Sequence, residues 1–455
     1  MRKERDELGE RKLPDEALYG LQSLRAEENF SLGYRKTNLR LIRAMVMIKK
    51  AAALAYGKIA ESDGQGDSPD CGKNGKAEQS RAIVEACDRV LAGEAEGEFI
   101  VDALQGGAGT STNMNVNEVI ANLALKILGK TPGAYDIVHP LDDVNRGQST
   151  NDVYPTALRI AAIELLRDLS DGCAKLQEAL QKRENEFADI KKLGRTELQD
   201  AVPITLGAEF GAYAQAIGRD RWRLYKVEER LRQVNLGGAA VGLSDKLTRR
   251  YRFEVIEKLR ELSGMGLAAA EYPMDLTQNN DVFVEVSGLL KSLGVNLTKI
   301  ANDLRLLSSG PYGGLGEIHL APLQKGSTVM PGKVNPVIPE MVIQVGIKVA
   351  ANDYAVTAAA ARGELELNAF SPIIADALLE SLSLLRRAVF LFRTRCVESL
   401  SPNRERCAEL LAASYAFAAS YGDKLGYDRV SAIIAENRGD PEKIQKALDA
   451  AIRTG

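Results

Sequence analysis

The sequence predicts an all-α protein. A central long-helix bundle domain, 147–400, lies between a mostly helical N-terminal domain, 1–146, and a small helical C-terminal domain, 401–455. Three observations carry this. First, apolar residues recur at steps of three and four in separate runs: Leu158, Ala162, Leu165, Leu169, Leu176, Leu180 and Phe187; Val286, Leu289, Leu290, Leu293, Leu297, Ile300, Leu304 and Leu307; Ile374, Leu378, Leu382, Leu385, Val389, Phe392 and Cys396. Each run is one face of a helix, and at ~1.5 Å rise per residue these helices span roughly 30 to 45 Å, which argues for a bundle built with partner subunits. Second, 337–361 is apolar nearly all round and should lie inside that bundle. Third, 455 residues exceed what one core holds, so two or three domains are expected.

Composition removes several function classes. A formal net charge of −3 leaves no basic footprint for nucleic acid or an anionic membrane. No run approaches the ~18 apolar residues of a membrane span, and the first residues are charged. Cys71, Cys87, Cys173, Cys396 and Cys407 make no C-x-x-C pair, an odd set that fits reduced thiols. His139 and His319 have no Cys or second His at ligand spacing, so no built-in zinc site is expected. These features point to a soluble cytoplasmic protein that must capture small acidic ligands with a local site.

In chain order, the first ~130 residues read as short helices with loops, 38–55 and 79–91 being apolar at helical spacing. Between them 62–76 is Gly- and Asp-rich and aperiodic, the pattern of a mobile surface loop. The stretch 105–115 (Q-G-G-A-G-T-S-T-N-M-N) lets backbone approach a ligand and surrounds it with neutral donors, Thr110 among them. It lacks the Lys-Ser/Thr of a nucleotide loop. At Ser149, Thr150 and Asn151 three side-chain donors precede a helix, where an N-cap explains one of them. The segment 194–203 (G-R-T-E-L-Q-D-A-V-P) joins two long helices and offers the Thr196 hydroxyl and the Glu197 carboxyl. After about Ser399 short helices follow at 402–415 and 440–452.

The densest chemistry lies in 326–340 (G-S-T-V-M-P-G-K-V-N-P-V-I-P-E), where Ser327, Thr328, Lys333 and Asn335 crowd together before a helix start. Backbone N–H groups and Lys333 would all favour an anion. By composition alone, a plain surface turn is an equal reading.

The loop resembles the G-S-S-x-M-P-x-K-x-N hallmark of the aspartase/fumarase superfamily, matching at Gly326, Ser327, Met330, Pro331, Lys333 and Asn335, with Thr328 in place of Ser. Four further blocks resemble the same family in the same order: Tyr19 to Phe30, then 106–115, 148–152 and 194–203. Within them Ala108, Ser111, Thr150 and Val202 are choices of the aspartase branch. His139, which in fumarases belongs to a secondary anion site, is read as structural.

The resemblance implies elimination of ammonia from L-aspartate or a related amino dicarboxylate, giving fumarate through an aci-carboxylate dianion. It implies Ser327 as general base, Thr110, Ser149, Thr150, Asn151, Thr196 and Thr328 as donors to the substrate, and Lys333 with Asn335 holding the second carboxylate. It further implies a homotetramer with shared sites, no organic cofactor and at most an activating divalent metal. Glu197 departs from the family's His or Gln, and in the family that residue faces the acid at the position of Glu340. Two carboxylates together would raise one pKa. A protonated Glu197 would imitate Gln, and an ionised one would favour a cationic amine. The block 235–245 loses the family's T-G-L-N end, and Leu141 replaces the usual Asn. Fumarate hydratase, a lyase for a modified amino acid, and a catalytically silent structural relative are the competing readings.

Overall fold

The computed structural model describes residues 1–62, 73–243 and 249–454, and its architecture is the expected all-α one. Strands occur among the described residues only as two-stranded pairs. The first pair, β1 (Arg2–Asp6) and β2 (Gly9–Leu13), was not foreseen from the sequence. Next come α1 (Leu21–Asn29), α2 (Leu39–Ser62), α3 (Lys73–Leu91) and α4 (Thr110–Ile127). α2 has 24 residues and α4 has 18, which corrects the expectation of short helices here. Both keep a continuous buried stripe, such as Met45, Ile48 and Ala52 on α2, and nothing breaks the periodicity. The loop expected at 62–76 lies mostly outside the described residues, and α3 starts at its end.

α1 has no capping side chain of its own. Glu118 of α4 does that job, its buried carboxylate accepting from the N–H groups of Gly20 (2.9 Å), Gln22 (2.9 Å) and Ser23 (3.1 Å) and from the Ser23 hydroxyl.

α5 (Thr150–Glu186) is 37 residues long, and its predicted apolar face is buried from Leu158 to Leu180. Every residue at 152–163 is buried, so the first turns of α5 are enclosed on all sides. The segment at 194–203 is a hairpin, β3 (Lys191–Thr196) with β4 (Gln199–Thr205). α6 (Leu206–Leu231), another long helix that sequence periodicity did not single out, follows, then β5 (Gln233–Val234), α7 (Arg249–Ser263), β6 (Ala268–Ala269) and α8 (Pro273–Gln278).

α9 (Asp281–Leu307), β7 (Ile318–His319), α10 (Val337–Ala360), α11 (Ser371–Phe392), β8 (Ser401–Pro402) and α12 (Arg404–Ala412) continue the chain. α13 (Gly422–Leu425), α14 (Tyr427–Glu436) and α15 (Pro441–Thr454) close it around a small core of Ala418, Val430, Ile444 and Leu448.

The chain divides into two compact units. The first holds Met1–Asp168, Leu224–Lys291 and Lys348–Leu384, and the second Leu169–Arg223, Ser292–Ile347 and Leu385–Gly455. In the first, α2 packs on α3, α4 and α7. In the second, α9 and α10 approach closely enough that a Cβ on Gly346 would sit 2.2 Å from the Thr298 hydroxyl oxygen.

The chain by itself covers α10 only in part. Its apolar circumference predicts an interior helix, yet the single chain buries only a stripe through Val342, Val349, Val356 and Ala359. Ile347 stays 65% exposed and Tyr354 76%.

Candidate active site

Thr110, Ser149, Thr150 and Asn151 all belong to the first unit. Gly107, Ala108 and Gly109 carry φ values of 85°, 55° and 91°, a left-handed run that turns the chain sharply into the first residue of α4, Thr110. Gly109 has no alternative, because a Cβ there would lie 2.1 Å from the Tyr154 ring of α5. The same packing brings the N-terminal turns of α4 and α5 together. Asn113 joins them directly, donating from Nδ2 to Thr150 Oγ1 at 3.2 Å. Two helix N-termini side by side bring their positive dipole ends together, a setting for an anion, although many of their first N–H groups already have partners, Thr112 in Gln105 Oε1 and Asn151 in Ser149 Oγ among them.

The three donors at the start of α5 do different things. Ser149 is the cap: its carbonyl accepts from Val153 N–H and its Oγ from Asn151 N–H at 3.2 Å. Asn151 reaches sideways, donating to Ala240 O at 2.7 Å. Thr150 is 8% exposed and accepts from Asn113, which leaves its own hydrogen without a protein acceptor among the described residues. The Thr110 hydroxyl is exposed and donates to Gly107 O at 2.8 Å.

Beneath these residues lies a polar cluster that sequence reasoning missed. Asp152 is fully buried and accepts from the N–H groups of Ser149 (3.0 Å), Gly237 (3.1 Å) and Ala239 (3.0 Å). Burial pushes its carboxyl up to about 7 against the pull of those N–H groups and of Lys49. Lys49 is also fully buried, and its ammonium donates to Asn113 Oδ1 at 2.7 Å and Asn145 Oδ1 at 2.8 Å. Desolvation pushes it down to about 7, opposed by the Asp152 charge. Asn235 donates to Asn151 O and to the Thr277 hydroxyl, so the 235–243 part of the altered block is fastened to α5. Ser244 and Asp245 lie outside the described residues. A signal was present in the sequence: Lys49 sits on the buried face of α2, between Met45 and Ala52.

His139 has a structural part, as a cap. Its Nδ1 accepts from Leu141 and Asp142 N–H, each at 3.2 Å, while Asp143 accepts from its own N–H. Leu141 is 47% exposed.

The remaining candidates belong to the second unit. Thr196 ends β3, and the two-residue turn after it places Glu197 (φ 54°) and Leu198 (φ 62°) in the left-handed region without a glycine. Such a turn is strained by order ~1–3 kcal/mol per residue and holds Glu197 out at the hairpin tip. Below it, Arg195 and Lys192 both pair with the fully buried Glu317, at 3.0 Å each, and Lys192 also with Glu209 at 2.7 Å.

The loop bearing Ser327 closes on itself, with Gly326 N–H donating to Lys333 O (2.9 Å) and Asn335 Nδ2 to Gly326 O (2.7 Å). Within it Ser327 Oγ accepts from Val329 N–H (3.0 Å) and Met330 N–H (2.9 Å). Thr328 and Lys333 are exposed. Glu340, in the first turn of α10, lies 3.8 Å from the Arg305 guanidinium. Among the described residues no hydrogen bond or ion pair joins it to Glu197, and no cluster of His, Cys, Asp and Glu is arranged to hold a metal.

Cys87, Cys173, Cys396 and Cys407 are buried and unbridged, their thiols pushed up to about 11 or 12 by burial. Cys71 lies outside the described residues.

Residues 9–351 match a family model described as lyase. An aspartate ammonia-lyase of Helicobacter pylori strain J99 is 43% identical over all of this chain and 95% of its own length. The crystal structure of a fumarate lyase:delta crystallin from Brucella melitensis superposes with TM-score 0.89 at 44% identity, covering 98% of this chain and 99% of that one. A class II fumarase from Schistosoma mansoni gives TM-score 0.91 at 30% identity, covering 98% and 95%.

The left-handed φ and the Tyr154 contact make Gly109 a test of the anion platform. Gly109→Ala adds of order 1–2 kcal/mol of backbone strain and displaces the start of α4. It should lower the thermal midpoint and weaken binding of a dicarboxylate such as succinate by about tenfold or more, one charged hydrogen bond's worth. Unchanged calorimetric affinity would separate this loop from the site.

Proposed function

Because the chain belongs to the aspartase/fumarase superfamily of lyases, we propose that it is an aspartate ammonia-lyase, removing ammonia from L-aspartate or a close amino dicarboxylate to give fumarate. It is an enzyme of the carbon–nitrogen lyase class. The observation that carries this is full-length identity of 43% to an aspartate ammonia-lyase, against 30% to a fumarase. Ala108, Thr150 and Val202 lean the same way, and the intact Ser327, Lys333 and Asn335 oppose a silent relative.

The difficult step is removal of a proton next to a carboxylate, which leaves a dianionic aci-carboxylate. Stabilising the added charge is the main catalytic task. Thr110, Ser149, Thr150 and Thr328 would cradle that carboxylate at the paired helix N-termini. Lys333 and Asn335 would hold the other, with Asn151 and Thr196 completing the pocket. Ser327 would take the proton, and the electron pair would return from the aci-carboxylate to expel ammonia. A serine is a poor base unless its alkoxide is stabilised. Two backbone N–H groups already aimed at Ser327 Oγ, with Lys333 in the same loop, support that role. The chemistry is acid–base and electrostatic, needs no organic cofactor, and leaves a divalent metal at most an activating part.

The two groups of candidates lie in different units of the chain, and α10 exposes an apolar flank. Both support a homotetramer whose sites draw on neighbouring subunits. None of the described helices is long and apolar enough to cross a membrane, and cytoplasmic residence fits the reading.

Ser327→Ala should lower turnover of aspartate to fumarate by roughly 10²–10⁴-fold with little change in substrate binding. Near-normal turnover would rule Ser327 out as the base, and fumarate formed from malate alone would transfer the chain to the hydratases. Glu197→Gln reports on the altered position. Activity on aspartate that holds or rises supports a protonated Glu197, and collapse supports an ionised one that selects a different amine. Ile347→Asp puts a charge on the uncovered face of α10. Light scattering should find four wild-type chains and a dissociated, inactive variant, and a fully active wild-type monomer would end the shared-site model.

A further inference from the structure

Resting on the reading that Thr150 binds the substrate carboxylate, we propose that Lys49 is a positioning residue: through Asn113 it fixes the direction of the Thr150 hydroxyl and keeps it a donor toward substrate.

The hydrogen bonds permit one polarity. A lysine side chain offers hydrogens and, when charged, accepts none. Both amides beside it must therefore turn their oxygens inward, and they do, Asn113 Oδ1 at 2.7 Å and Asn145 Oδ1 at 2.8 Å from Nζ. The orientation of each amide follows from that contact. With its oxygen committed, Asn113 has only N–H to show its other neighbours. One goes to Asn145 Oδ1 at 3.1 Å and one to Thr150 Oγ1 at 3.2 Å. Asn117 Nδ2 donates to the same Asn145 oxygen at 3.2 Å, so that oxygen cannot swing away to accept from elsewhere. A hydroxyl facing an N–H cannot aim its own hydrogen there. The Thr150 hydrogen is thereby turned away from Asn113, free for a ligand at the start of α5. A neutral amine still has two hydrogens for its two acceptors, so loss of the Lys49 proton leaves the direction intact.

Burial gives the arrangement its rigidity. Lys49, Asn113 and Asn117 are each 2% exposed or less, and water has little access to supply a replacement bond. The family resemblance assigns none of these three a role, and none of them touches the substrate in this reading.

The decisive variant is Asn113→Asp, which reverses the polarity and leaves the ammonium in place. A carboxylate at 113 still accepts from Lys49 and now accepts from Thr150 as well, drawing the hydroxyl hydrogen inward. We expect kcat/KM for aspartate to fall roughly 10- to 100-fold, the loss of one hydrogen bond to a charged group, while the thermal midpoint and helical signal hold. In a Thr150→Val background Asn113→Asp should add nothing, since the hydroxyl it misdirects is gone. If Asn113→Asp does not fold, Lys49→Met, which frees Asn113 to rotate, is put through the same cycle with the same expectation. An impaired Thr150→Val beside a fully active Asn113→Asp, or losses that multiply in the double variant, would overturn the relay and leave the substrate reading standing. A fully active Thr150→Val would overturn both.

Discussion

The interaction on which the site depends is the burial of Asp152 against three backbone N–H groups. A carboxylate taken out of water is costly unless donors replace its hydration. Here the donors come from the cap residue of α5 and from Gly237 and Ala239. Neither the helix start nor the 235–243 segment can withdraw without stranding a charge. The complete enclosure of 152–163 makes the same demand through packing. The start of α5 is thus a fixed reference, and Thr110, Thr150 and Asn151 inherit their positions from it.

A contrast with the Ser327 loop follows. The donors of the first unit stand on buried helices tied by an amide network. Ser327, the proposed base, stands in a loop held by its own local hydrogen bonds, with Val329 83% and Met330 53% exposed. Few buried contacts hold such a segment, and its local opening is correspondingly cheap. Elimination has use for both behaviours. A dianion must meet preorganised donors, whereas substrate must enter and fumarate must leave past whatever covers it. The hydrogen bonds from Gly326 to Asn335 close the loop on itself and keep two N–H groups on Ser327 Oγ.

Much of this was legible in the sequence because it is written in period and spacing. The apolar runs on α5, α9 and α11 are largely buried as their three-and-four steps require, and Gly107 and Gly109 supply two of the three left-handed residues in the turn into α4, Ala108 being the third. What escaped notice lacks such a signature. Lys49, Asn113, Asn145 and Asp152 are polar residues whose meaning lies in contacts across α2, α4 and α5, and a pattern along one helix cannot report them. The β3–β4 hairpin escaped for the opposite reason. Its turn residues, Glu197 and Leu198, are poor choices for left-handed backbone, so the local preference points away from the structure adopted. Tertiary anchoring through Arg195, Lys192 and the buried Glu317 overrides that preference.

The uncovered flank of α10 links assembly to chemistry. A helix apolar around most of its circumference gains from cover on more than one side, and one chain buries a single apolar stripe and leaves Ile347 and Tyr354 exposed. A serine alkoxide has the same requirement in electrostatic form, since two N–H groups and a lysine stabilise it far better where water is excluded than at an exposed loop. In a lone chain both needs go unmet, the apolar face and the loop each facing solvent. In the proposed homotetramer a neighbouring subunit would cover α10 from outside, and α10 begins two residues after Asn335. In the proposed assembly a subunit covering the start of α10 would pack close to Ser327, so the contact that holds subunits together would also decide how dry that serine becomes.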